Sequence, residues 1–79
     1  MKKILVADNF KILAQKDILQ SDVYYTRDAN NAEEILETLC EEGYEVLYLT
    51  EKITKVAKSK IEDIRKRTAC EILTVRNTP

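Results

Sequence analysis

The spacing of apolar positions changes several times between the first residue and Val75, and each change marks an element. Residues 2–7 (KKILVA) form a short apolar run of β-forming residues closed by Asp8-Asn9, a turn or N-cap signal, and predict a first strand. From Phe10 to about Leu19 the apolar positions Phe10, Leu13, Ala14 and Ile18 keep a helical beat, which Ile12 and Leu19 blur. A first helix is expected there. Residues 22–26 (DVYYT) have the β-branched and aromatic content of a strand but open and close on polar residues, as an edge strand does.

Residues 31–42 carry the clearest pattern: Ala32, Ile35, Leu36, Leu39 and Cys40 fall on one helical face. Asn31 with Glu34 makes a capping box at its start, and Gly43 supplies the left-handed residue that ends it. The run Val46 to Leu49 is apolar without a break, the mark of a strand covered on both faces. Ile53, Val56, Ala57, Ile61 and Ile64 then form another helical stripe, with Thr50 as N-cap and Arg65, Lys66 and Arg67 where a helix C-terminus favours cations. A second capping box at Ser59 and Glu62 predicts an interruption near Lys58. Residues 70–75 (CEILTV) read as a fourth strand.

Alternating strands and helices predict a parallel sheet, because right-handed crossovers leave few other arrangements. The fold expected is a single small α/β domain over residues 1–79: a four-stranded parallel sheet in the order 2-1-3-4 flanked by three helices, Rossmann-like or receiver-like. Reversal of the winding puts helix one on one face and helices two and three on the other. The face under helix one is then only half covered, and an element outside this chain, or missing from it, is expected to complete it.

Composition narrows the function. With 13 basic and 14 acidic residues the net charge is −1, so no uniform positive field exists for nucleic acid or anionic lipid, and neither is expected as a partner. No apolar run approaches the roughly 20 residues of a bilayer span, so a cytoplasmic chain without direct membrane insertion is expected. Cys40 and Cys70 have no histidine to join them as metal ligands, and a zinc site is not expected. The single glycine, Gly43, ends a helix, leaving no glycine-rich loop to cradle a phosphate.

In such sheets ligands collect beyond the strand C-termini where the winding reverses, here between Ala7-Asp8-Asn9 and Thr50-Glu51. Asp8 and Glu51 could hold a divalent cation, but two acids supply too few oxygens, so Asp8 as a cap and Glu51 as a first-turn acid is the preferred reading. Without a histidine to activate them, Cys40 and Cys70 read as core filler rather than nucleophiles. Tyr24, Tyr25, Tyr44 and Tyr48 occupy positions that suit packing better than base stacking. The Arg65-Lys66-Arg67 cluster reads as a solvated helix end. No catalytic residues, metal or cofactor are expected.

Two family resemblances bear on function. The segment ILVADN resembles the first strand of response-regulator receiver domains, which end that strand in an acidic pair. Receivers carry the phosphate-accepting Asp at the end of strand three, where this chain has Thr50, and a Lys after a fifth strand not found here. That resemblance implies a degenerate receiver-like signalling or interaction domain. Over more of the chain, and best from Gly43 to Val75 (GYEVLYLTEKITKVAKSKIEDIRKR followed by ACEILTV), the sequence resembles the F subunit of the V/A-type rotary ATPases. This resemblance implies a non-catalytic central-stalk component, peripheral to a membrane complex. Its partners would be the coiled-coil D subunit of the stalk and the catalytic head, and it would support coupling of ATP turnover to proton or sodium transport. Contacts with the partner are expected at Thr50, Glu51, Arg76 and Asn77. The family's last strand runs on through a linker to a helix along the stalk. Pro79 lies close to where that linker would begin, so residues 1–79 are expected to be the globular N-terminal part of a longer protein.

Overall fold

The computed structural model describes residues 1–76. In chain order they form β1 (Lys3–Ala7), a 3-10 turn (Phe10–Gln15) running into the short helix α1 (Lys16–Leu19), β2 (Asp22–Tyr25), and a second 3-10 turn (Ala29–Asn31). Then follow α2 (Ala32–Glu41), β3 (Val46–Thr50), α3 (Glu51–Val56), α4 (Lys58–Arg67) and β4 (Glu71–Val75). All strands pair in parallel in the order β2-β1-β3-β4, as the sequence predicts. The most apolar strands take the centre because only there are both faces shielded from water.

Strand alternation sorts the side chains onto two faces. Ile4, Val6, Leu47, Leu49 and Ile72 meet the stripe of α2 (Leu36, Leu39) and the α3–α4 pair (Ile53, Ile61, Ile64) in the larger core cluster. On the opposite face Leu5 and Ala7 lie under Ile12 of the 3-10 turn, with Leu13, Leu19, Tyr48 and Val75 packed around them. Cover on this face is incomplete. Leu5, Tyr48 and Leu73 are in register across three strands, yet exposure is 0% at Leu5 and 41% at Leu73. Among the described residues the helical segment on this side packs over β1 and touches the end of β4 at Val75, leaving Leu73 open.

The region expected as helix one departs most from the sequence reading. Asn9 accepts a hydrogen bond from the Lys11 N–H (2.8 Å) and starts a tight 3-10 turn, not an α-helix. Its three-residue repeat moves the buried position to Ile12, while Phe10 (67% exposed) and Ile18 (83% exposed) project from the surface. The connection from β1 to β2 is short, and the tighter turn lets Ile12 reach Leu5 and Ala7.

The remaining helices follow their stripes with local corrections. In α2, Ala32, Leu36 and Leu39 are buried, while Ile35 and Cys40 flank them half-buried. Its start is not the expected Asn31–Glu34 box: Asn31 makes no side-chain cap bond, and Asp28 instead caps the preceding 3-10 turn through the Asn30 N–H (2.9 Å). The C-terminus is as expected. Gly43 has φ +92°, its N–H donates to the Cys40 carbonyl (3.1 Å), and the Tyr44 N–H donates to that of Leu39 (3.3 Å), a Schellman closure. The expected third helix is two, α3 and α4, which meet at Ala57, close to the predicted interruption. Ser59 does not cap the restart, and Val56 is exposed, off the stripe assigned to it.

Candidate functional site

The C-terminal ends of β1 and β3 lie side by side because their strands are paired from Lys3 with Val46 to Val6 with Leu49. This is the point where the winding of the sheet reverses. Asp8 and Thr50, 42 positions apart in sequence, meet here: the Thr50 hydroxyl donates to Asp8 Oδ1 at 2.7 Å. Thr50 is buried and Asp8 half-buried, so the bond is a short, charge-assisted one at the floor of the corner. Thr50 does hold the N-cap position that the sequence predicts, with extended backbone, but its hydroxyl serves Asp8 and makes no cap bond. Its carbonyl instead accepts from the Thr54 hydroxyl (2.9 Å), which ties the first turn of α3 to the end of β3.

Around this bond lies an open cleft of about 570 Å³ lined by Asp8, Asn9, Phe10, Tyr25, Thr50, Glu51 and neighbouring lysines. Phe10, which the sequence places on the helical beat of residues 10–19, stacks on Tyr25, with ring centroids 4.2 Å apart and planes within 13°. Only the parallel pairing of β1 with β2, which sets Ala7 beside Tyr25, brings that strand end to the corner. The spacing of Phe10 and Tyr25 in sequence carries no hint of the stack. Glu51 is exposed in the first turn of α3, where a carboxylate faces the positive end of the helix dipole.

The expected partner-contact residues Thr50, Glu51 and Arg76 all sit at this end of the sheet. Thr50 is in register with Val75, and the Arg76 carbonyl accepts from the Gln15 side-chain amide at 3.3 Å. Thr50 is buried, so its own contact surface is small, whereas Glu51 and Arg76 are exposed. Asn77 lies outside the described residues.

Elsewhere the polar groups serve the fold. Arg65 donates to the Ile72 carbonyl (2.7 Å), and Arg67 bridges Asp63 and Glu37 (both 2.9 Å), so two members of the basic cluster are engaged. Arg67 is held more firmly protonated than usual, first by its hydrogen bond to Asp63 and then by Glu37. Cys40 and Cys70, far apart in sequence, line one shallow cleft of about 370 Å³. Burial, reinforced by Cys40 beside it, pushes the Cys70 thiol up to about 12, so at neutral pH it is a protonated donor toward the Tyr44 carbonyl (3.7 Å). A thiol so placed is a poor nucleophile. Tyr44 donates its hydroxyl to Asp22 (2.8 Å), which raises its pKa above the usual phenol value.

Among the described residues no group of three or more His, Cys, Asp or Glu is placed to hold a metal ion. No helix among them is long and apolar enough to cross a membrane. The corner can offer a carboxylate, an acidic helix start and a stacked aromatic pair to another molecule. Set against protein-family models, curated proteins and solved structures, the chain matches none of them.

Proposed function

We propose that this chain is a non-catalytic docking module, and that it acts as the central-stalk F subunit of a V/A-type rotary ATPase. In that role it binds the coiled-coil D subunit and the catalytic head, and supports the coupling of ATP turnover to proton or sodium transport. It works in the cytoplasm, peripheral to the membrane complex. The observation that carries the reading is the half-open sheet face: a parallel sheet is normally covered on both sides, and Leu73 stands 41% exposed in line with buried Leu5. A helix of the partner laid across β4 would bury Leu73 and the exposed side of Val75, with Glu51 and Arg76 at the rim. The sequence resemblance from Gly43 to Val75 supports the coiled-coil D subunit as that partner.

Calorimetric titration of the purified coiled-coil D subunit with the 79-residue chain tests the proposal. Saturable binding is expected, weakened ten-fold or more by Leu73→Asp, which would place a charge under the docked helix. Absence of binding, or binding indifferent to Leu73→Asp, rejects it. A second reading, a degenerate receiver-like signalling domain, is favoured by one feature: Asp8 at the end of β1 faces the residue that ends β3. Co-purification of a kinase or signalling output domain from the native host, in place of an ATPase stalk, would favour that reading.

A further inference from the structure

The sheet has two edges, and they are treated differently. On β4 the Glu71 N–H points inward to the Glu45 carbonyl (2.9 Å), so by strand alternation the backbone groups of Ile72 and Thr74 face outward. That edge is guarded in part: Arg65 takes the Ile72 carbonyl at 2.7 Å. On β2 the Thr26 N–H points inward to the Ala7 carbonyl (2.9 Å), so the N–H and C=O groups of Val23 and Tyr25 face outward. No side chain among the described residues hydrogen-bonds to them. Natural sheets rarely leave such groups untended, because they pair readily with another extended chain.

Directly beside this edge runs a groove of about 630 Å³ between β2 and α2. Its floor is apolar, from Ile4, Ile35 and Leu39, and Tyr24 flanks it 42% exposed. The Tyr44–Asp22 hydrogen bond (2.8 Å) fastens one end, so the walls are held at a set separation. The charge is one-sided. Glu34 and Glu42 line the groove, no Lys or Arg does so, and neither carboxylate has an ion-pair partner among the described residues. Lys2 lies near the Tyr44 end, but its ammonium is held over the Tyr44 ring (4.3 Å) and against the Glu42 carbonyl (3.1 Å).

We propose that the β2 edge and the β2–α2 groove form a peptide-docking site that takes an extended segment of another protein in which every second residue, on the face turned to the groove, is in turn apolar and basic. The segment adds as a strand beside β2, exchanging main-chain hydrogen bonds with Val23 and Tyr25. Every second side chain then points to the α2 face and enters the groove over Ile35 and Leu39. Lysines or arginines among those groove-facing residues meet Glu34 and Glu42, a preference that an acidic segment cannot satisfy. This surface lies on the sheet edge opposite β4 and stands independently of the stalk assignment.

The probe is a synthetic eight-residue peptide in which valine and lysine take turns at every second position with threonine between them, compared with the same peptide carrying glutamate for lysine and with the first peptide N-methylated at the amides that would face β2. Titration followed by amide NMR should show saturable binding of the first peptide only, with exchange of the Val23 and Tyr25 amides slowed ten-fold or more and that of Ile72 and Thr74 unchanged. The exposed charge reversals Glu34→Lys and Glu42→Lys, combined, should weaken binding at least ten-fold without unfolding the chain; Val23→Pro, which deletes one outward N–H, should do the same. Equal affinity for the N-methylated peptide would overturn strand addition. Binding that maps away from β2, or no saturable binding, would overturn the site. A concentration-dependent dimer joined through β2 would replace the peptide with a second copy of this chain.

Discussion

Replacing Thr50 with valine removes the hydroxyl that reaches Asp8 while keeping the volume and branching of the side chain. The bond is short, at 2.7 Å, and its acceptor is a carboxylate, so it belongs to the class worth about 1.5–3 kcal/mol net. Asp8 is only half-buried and can recruit water in the variant, which lowers the expected loss to about 1–2 kcal/mol. Thr50→Ser supplies the control. It keeps the donor and loses one buried methyl group, for about 0.8 kcal/mol. Urea denaturation of the wild type, Thr50→Val, Asp8→Ala and the double variant closes a cycle whose coupling energy should be about 1–2 kcal/mol. Coupling below about 0.3 kcal/mol, within the additivity error of such cycles, would mean that water serves Asp8 as well as Thr50 does, and that the bond does not hold the corner together.

The same melts should separate neighbours on α2. Leu36→Ala should cost about 3 kcal/mol because Leu36 is fully buried, whereas half-buried Ile35 at the groove should cost only about 1–2 kcal/mol. Gln20 closes α1 at φ +54°, a conformation that strains any residue with a Cβ, so Gln20→Gly should stabilise the chain by up to about 1 kcal/mol, read as a higher urea midpoint. Cys70, pushed up to about 12, should be alkylated by iodoacetamide far more slowly than a free thiol at pH 8, as peptide mapping can measure. Because the unfolded thiol ionises near pH 8.5, this group's contribution to stability is complete below that pH and is lost as the pH rises toward 12. Melts across that alkaline range should therefore show falling stability, and a Cys70→Ala variant should fall less.

The strand runs, the stripe of α2 and the glycine that closes it were legible in the sequence because each is a local matter. A strand needs a side-chain period of two, a helix face needs apolar residues three and four apart, and a left-handed closure needs a residue without a Cβ. The strand order followed as well, since the most apolar segments must occupy the centre of a parallel sheet. Features that depend on groups distant in sequence were not legible. The Thr50 hydroxyl had two uses open to it, a local cap or a bond to Asp8, and pairing of β1 with β3 decided between them by bringing the carboxylate to 2.7 Å. Residues 10–19 had a helical beat, but the depth available over Leu5 and Ala7 favoured a 3-10 turn that buries Ile12 and sends Phe10 out to Tyr25. The unequal guarding of the two sheet edges is likewise tertiary. Arg65 protects β4 only because α4 packs beside it, while β2 has α2 near enough to form a groove and, among the described residues, no side chain placed to close its edge.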